Sequence, residues 1–203
     1  MKKRFLILSV VLLSTFYMNA QSDFTIGFTL GGGFGDFRGE FIPDDIKSQL
    51  SIVYGMEIQK NFGDHMYLRS GISYGKKEVE FATFIPLSNF DIIQSSRQSI
   101  NISTITIPVY LGYRSTGDFR FHANAGPFIS FITDEENILV KSFDYGIGAS
   151  LGIEYTLSSS GIIRFEILNE LGLADISDSI IEVENNTINT NRFGAYITYL
   201  IQL

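Results

Sequence analysis

The stretch from Asn101 to Phe131 decides the fold. After Asn101, its first arm reads ISTITIPVYLGYR, a Ser-Thr-Gly-Asp turn follows at 115–118, and its second arm reads FRFHANAGPFISF. In both arms apolar residues alternate with polar, small or charged residues, and this period of two on both sides of a tight turn predicts a long β-hairpin. One apolar face and one polar face are typical of transmembrane barrel strands, which cross the bilayer in about 9–11 residues.

The same alternation recurs along the chain and indicates eight strands. The predicted strands are 24–33, 50–59, 66–75, the two arms of the hairpin, 143–156, 162–172 and 192–203. Short connections at 62–64, 115–118 and 158–161 alternate with long ones at 35–49, 76–98, 133–141 and 174–191. An even strand number with tight turns on one rim is the plan of an outer-membrane barrel. We therefore predict an all-β fold, a single eight-stranded antiparallel up-and-down transmembrane β-barrel.

The first twenty residues indicate a cleaved signal peptide. Lys2, Lys3 and Arg4 precede an apolar run, and Met18-Asn19-Ala20 forms a plausible cleavage site. The apolar run is shorter than the roughly 20 residues that a membrane-spanning helix needs. We expect residues 1–20 to be removed and residues 21–203 to form the outer-membrane β-barrel domain of a Gram-negative bacterium.

Composition excludes several classes of protein. The chain has 15 basic and 22 acidic residues, and loss of the signal peptide takes its formal charge from −7 to about −10, which argues against nucleic-acid binding. Without cysteine, it has no disulfide, thiolate metal site or cysteine nucleophile. No second apolar run is long enough for a spanning helix, so strands must cross the membrane.

The polar face predicts a lumen crossed by ion pairs. Pairing across Phe62-Gly63-Asp64 would place Glu57 opposite Arg69, and pairing across the 158–161 turn would place Glu154 opposite Arg164. The other predicted lumen ion-pair residues are Glu166 and Glu170. Because an eight-stranded barrel leaves just enough interior for side chains, we expect a plugged lumen rather than an open pore.

The apolar face predicts the contact with outer-membrane lipid. The predicted lipid-facing residues are Ile105, Ile107, Val109, Leu111, Ile147, Leu151, Ile153, Phe165, Ile197 and Tyr199. Periodicity alone does not distinguish inside from outside. A soluble periplasmic barrel with an apolar ligand inside is therefore an alternative, although the spacing of the charged residues as cross-strand partners favours lipid outside.

Four motifs resemble a known family. They are IPVYLGYR (107–114), Asn124-Ala125-Gly126-Pro127, Asp144-Tyr145-Gly146-Ile147-Gly148 and Asn191-Arg192-Phe193. In these motifs the chain is similar to the outer-membrane β-barrel domain of the Bacteroidetes PorT-like family. The resemblance implies an eight-stranded outer-membrane barrel. For one branch of the family it also implies a part in protein export by the type IX secretion system.

Little in the sequence points to catalysis. Neither His65 nor His122 has a second histidine at ligand spacing, and we predict no enzyme activity, no cofactor and no metal site. We expect a monomeric structural or interaction protein with an envelope or secretion-machinery partner; a narrow channel or small-molecule transporter is the alternative. The apolar stretch FATFIPLSNF (81–90) would either bind a partner or the membrane interface, or continue the strand or fold over the lumen.

Overall fold

The computed structural model describes most of the predicted barrel domain. The described residues are 24–38, 47–48, 50–86, 93–133, 142–157, 161–176 and 189–203. The expected signal peptide lies outside the described residues. Within the described part of the chain, no helix is long and apolar enough to cross a membrane.

Eight long antiparallel strands form one closed sheet, which confirms the predicted fold class. They are β1 (Phe24–Arg38), β2 (Leu50–Phe62), β3 (Met66–Pro86), β4 (Ile93–Arg114), β5 (Phe119–Ile132), β6 (Phe143–Thr156), β7 (Gly161–Gly172) and β8 (Asn189–Gln202). Strand β1 pairs with β2 on one side and with β8 on the other, and this closes the barrel. A two-residue strand, Lys47–Ser48, pairs with β3 just beyond the end of β2.

Burial follows the alternation of the sequence, with the apolar residues outside. Along β6 and β8 nearly every second residue is buried, and the exposed positions carry residues such as Leu151, which is 68% exposed. Charged residues such as Glu154 and Arg164 are fully buried. The soluble barrel with an apolar interior is therefore wrong, because its faces would be reversed.

The tight turns lie at one rim, the turn end, and the longer connections at the other, the loop end. Gly63 and Gly117 have φ values of 70° and 104°, a backbone conformation that glycine adopts without steric cost. The turn after β2 comprises 63–65, because Phe62 pairs with Met66. The predicted turn at 62–64 was therefore wrong by one residue, and this changes which residues of β2 and β3 lie opposite each other.

The hairpin of β3 and β4 is much longer than predicted. Beyond Gly75 and Thr104, eleven further residue pairs connect Lys76–Ser103 through Pro86–Ile93, about 36 Å of ribbon at roughly 3.3 Å per residue. Residues 76–98, predicted as a long loop, are therefore largely strand, and the backbone of 81–86 continues β3. Strand β1 likewise continues through the glycine-rich 31–35 segment to Arg38, and β8 begins at Asn189.

Candidate functional site

Among the described residues, the lumen is filled by an equal number of positive and negative side chains. Five arginines and five carboxylates of this part of the chain point inward from the strands: Arg69, Arg114, Arg120, Arg164, Arg192, Glu57, Asp144, Glu154, Glu166 and Glu170. All are less than a tenth exposed except Arg120, whose side chain is 15% exposed. Charges removed from water to this degree need partners, so their pairing determines whether the lumen is stable.

Arg164 on β7 is the centre of the lumen network and is 0% exposed. Its Nη1 lies 2.6 Å from Glu57 Oε1 on β2, and its Nη2 lies 2.8 Å from Glu154 Oε1 on β6. Nε donates to the same Glu154 oxygen at 2.9 Å, and Nη2 also donates to Gln59 Oε1 at 2.5 Å. Each guanidinium nitrogen thus has an acceptor, and one side chain connects three strands.

Arg69 on β3 forms the next layer toward the loop end. Its Nη1 donates to the two Glu166 carboxylate oxygens at 2.8 and 2.9 Å and lies 3.5 Å from Glu57 Oε2. Ser150 Oγ donates to Glu166 Oε2 at 2.8 Å, and Arg69 Nη2 donates to Asn124 Oδ1 at 3.3 Å. Glu57 therefore lies between two arginines, Arg164 and Arg69.

One of the two predicted cross-strand pairs has the wrong register. Arg69 lies opposite Gln59, and Glu57 lies opposite Gly71, because the turn is centred one residue later than expected. The Glu57–Arg69 contact survives as a diagonal across the sheet. Glu154 and Arg164 lie directly opposite each other in the β6–β7 ladder.

The column of alternating charges reaches the turn end through two further arginines. Arg120 Nε lies 3.5 Å from Glu154 Oε2, and Arg114 Nη1 lies 3.9 Å from the same oxygen. That oxygen has no hydrogen bond at normal geometry within the described chain. The contacts at this end are therefore looser than those around Arg164.

A separate cluster fills the loop half of the lumen. Arg192 Nε donates to Glu170 Oε2 at 2.7 Å, and Tyr110 hydroxyl donates to Glu170 Oε1 at 2.9 Å. Thr190 Oγ1 donates to Asp144 at 2.5 Å nearer the loop end. Ile176, only 1% exposed, lies in the segment that follows β7 and lines a small void together with Asp144 and Thr190.

Two tyrosines complete the plug, and two glycines make room for them. Tyr67 and Tyr110 are both 0% exposed. A Cβ added to Gly112 would overlap the Tyr67 ring, and one added to Gly148 would overlap the Tyr110 hydroxyl group. The glycines on inward positions are therefore part of the packing of the lumen.

The sequence alternation placed Tyr67 and Tyr110 on the polar face of their strands, but it did not assign them, or Arg192, a part in filling the lumen. Tyr67 lies between Met66 and Leu68, and Tyr110 lies between Val109 and Leu111. The alternation therefore indicates which face each ring occupies. That two rings fill the cross-section follows only from closure of the barrel.

The lumen is packed rather than open in the described barrel. A void of about 50 Å³ lies between the Arg69 layer and the Arg192 cluster, lined by residues that include Tyr196. A void of this size is far too small for a solute to pass through. The described residues contain no group of three His, Asp or Glu side chains arranged to hold a metal ion. His122 Nδ1 lies 3.3 Å from the Tyr67 hydroxyl group, an arrangement that suits a structural hydrogen bond.

The structure places the predicted lipid-facing residues on the outer face of the barrel. Seven of them are exposed: Val109, Leu111, Ile147, Leu151, Phe165, Ile197 and Tyr199. Ile105, Ile107 and Ile153 lie on the same face and are partly covered by their neighbours. The outer surface of the wall is thus a continuous apolar belt.

Comparison with known proteins agrees with this architecture. Residues 19–178 match the model of a family described as outer membrane protein beta-barrel domain. No curated protein matches the chain in sequence. Among solved structures, the chain is similar to the outer membrane protein OprG from Pseudomonas aeruginosa, with a TM-score of 0.57, 14% identity and coverage of 90% of this chain and 96% of OprG. The Neisserial surface protein A has a TM-score of 0.50 and 9% identity, covering 86% of this chain and 95% of that protein. At these identities the likeness concerns the fold.

Proposed function

Because the chain belongs to the outer membrane protein β-barrel domain family, we propose that it is a non-enzymatic structural or interaction protein of the outer membrane, accessory to type IX protein secretion or envelope assembly. The outer membrane provides the lipid that its apolar belt requires. The PorT-like motifs of the sequence support the secretion role. The barrel holds binding surfaces at the membrane, with its loop end outside the cell.

The filled lumen is the observation on which this proposal rests. Arg164 is fully buried and bonded to three side chains from two other strands, β2 and β6, and Tyr67 and Tyr110 occupy the remaining cross-section. A solute would have to displace several ion pairs at once to pass. The barrel is therefore better suited to holding a binding surface outside the cell than to conducting solutes along its axis.

The long β3–β4 hairpin is the best candidate for that surface. Beyond Ser103, only Lys47 and Ser48 among the described residues pair with it from another strand. Within the described chain, both of its edges therefore offer backbone N–H and C=O groups along much of their length. Exposed sheet edges bind extended segments of partner proteins through main-chain hydrogen bonds.

Shortening this hairpin tests the proposal. Glu78 and Asn101 pair in register, so residues 79–100 can be replaced by a two-residue Asn-Gly turn, which suits a hairpin. The tagged wild-type and shortened barrels would be extracted in mild detergent from the host outer membrane, and bound proteins would be quantified by mass spectrometry. We expect a stoichiometric envelope or secretion partner with the wild type and its loss with the shortened barrel.

A matched control separates loss of binding from loss of folding. Replacing residues 177–188 shortens another loop-end connection and should leave the partner bound. Both variants should keep the heat-modifiable gel mobility of a folded barrel. Recovery of the wild-type barrel alone, or partner binding that persists without the hairpin, would contradict the proposal.

A further inference from the structure

The outer face of the barrel has a shallow hollow of about 740 Å³ where small residues replace large ones. Its floor is formed by Ala123 and Ala125 on β5 and Ala149 on β6. Leu151 and Ile167 stand beside it as a ridge, 68% and 54% exposed. A hollow and a ridge therefore lie side by side within the apolar belt.

The hollow also contains a polar group in an apolar setting. Asn169 on β7 is exposed on the outer face, between Ile167 and Leu171 along its strand. Across the ladders it lies opposite Ala149 and Phe193. Each of these four neighbours is apolar. In hydrocarbon a carboxamide without hydrogen bonds is costly, since no water is present to satisfy it.

The side-chain amide of Asn169 forms no hydrogen bond with another residue of the described chain. Ser70, a second polar residue on the outer face, shows the usual alternative. Its hydroxyl group donates to the carbonyl oxygen of Pro108 at 2.8 Å, and so it needs nothing from outside. Asn169 therefore requires a partner that supplies both a donor and an acceptor, which a lipid chain does not.

We propose that a second copy of this chain packs against the hollow, as a two-fold symmetric dimer within the membrane. A carboxamide carries both donor and acceptor atoms, so Asn169 pairs with Asn169 of the second copy across a two-fold axis. The same axis places the Leu151–Ile167 ridge of each copy in the alanine floor of the other. This interface revises the monomer expected from the sequence.

The composition of the hollow suits close contact between two copies. Its lining residues carry no charge, so two copies do not repel each other there. Small residues at membrane interfaces allow backbones to approach closely, and interfacial amides hydrogen-bond across them. The lumen network is unaffected, because its side chains lie on the opposite face of the same strands.

Single-cysteine cross-linking tests the proposal directly, because the chain has no cysteine. Two differently tagged single-cysteine variants are co-expressed, Ala125→Cys in the floor and Leu151→Cys in the ridge, whereas Ala125→Cys with Ile58→Cys, an exposed outward position on β2, serves as a control away from the hollow. Oxidation with copper phenanthroline in native outer membranes should give a band at twice the monomer mass that carries both tags for the floor and ridge pair. We expect its yield to exceed that of the control pair at least tenfold.

The amide is then tested in the same background. Adding Asn169→Leu to both variants of the floor and ridge pair should reduce the dimer yield at least fivefold while heat-modifiable mobility is retained. Ala123→Cys with Ile167→Cys provides a second floor and ridge pair if Ala125→Cys assembles poorly. Equal yields for the control pair with Ile58→Cys, no dimer from folded barrels, a dimer yield insensitive to Asn169→Leu, or a cross-linked band of a different mass would each overturn the proposal.

Discussion

Removing the Arg164 guanidinium group perturbs the centre of the lumen most directly. Arg164→Met keeps most of the volume of the side chain but leaves Glu57 and Glu154 without the cation that lies 2.6 and 2.8 Å from them. Breaking a buried ion pair by removing one partner costs about 3–5 kcal/mol. Arg69 and Arg120, each 3.5 Å from one of these carboxylates, offset part of that cost, and we expect a loss of about 3 kcal/mol.

Arg120→Met provides the matched control for this prediction. Among the described residues the Arg120 side chain has one ion pair, at 3.5 Å and without hydrogen-bond geometry at its Nε. When Arg120 is removed, Glu154 keeps its 2.8 Å contact with Arg164, so this variant should remain within about 1 kcal/mol of the wild type. The two variants remove the same charge and differ chiefly in the number and length of the contacts that are lost.

Unfolding by urea in detergent micelles measures both losses. The chain has no tryptophan, so far-UV circular dichroism and gel mobility are the suitable signals. With slopes of about 1–3 kcal/mol/M, a loss of 3 kcal/mol lowers the urea midpoint by about 1 M or more. A loss below about 1 kcal/mol for Arg164→Met, or equal losses for both variants, would refute the reasoning from the contacts that Arg164 makes.

Three further perturbations test separate parts of the structure. Gly112→Ala should cost about 1–3 kcal/mol in the same unfolding assay because its Cβ overlaps the Tyr67 ring, and Tyr67→Leu in the same chain should reduce that cost. Ile197→Arg should destabilise the barrel in lipid vesicles by about 2–4 kcal/mol, because it places a charge in the apolar belt. An unchanged stability of this variant would show that the face carrying Ile197 does not contact lipid. Glu170→Gln should lower the free energy of unfolding by about 3–5 kcal/mol, because it leaves the Arg192 charge unpaired. The double variant Glu170→Leu with Arg192→Met should lose less, because it removes both charges. An equal or greater loss for the double variant would contradict this prediction.

The strands were predictable because alternation is a local property. Along 102–114 and 119–131 the alternation of apolar and polar residues shows which face of the sheet each residue occupies. A tight turn with Gly117 separates the two arms. The same logic identified Glu57, Arg69 and Arg164 as inward residues. The inward and outward assignment is strongly fixed where one face is buried, because a shift of one residue would turn every side chain of the strand to the other face.

Contacts across the lumen were not predictable in this way. Glu57 and Arg164 are 107 residues apart in sequence and lie on strands that do not pair, and only closure of the barrel brings them together. The Arg69 register depended on whether the turn contains 62–64 or 63–65, which local patterning does not decide. The extension of the β3–β4 hairpin past Gly75 was missed because residues 76–80, KKEVE, lack the outward apolar residues that identify a strand within the belt.

Ion conductance across a planar lipid bilayer tests most directly whether the lumen is closed. Purified wild-type barrel, inserted and verified as folded, would be recorded at high potassium chloride concentration beside the Arg164→Met variant. The packed column of Arg164, Glu57 and Glu154 predicts no resolved conductance steps for the wild type. Reproducible wild-type steps whose size changes with Arg164→Met would contradict the account and identify the lumen as a channel.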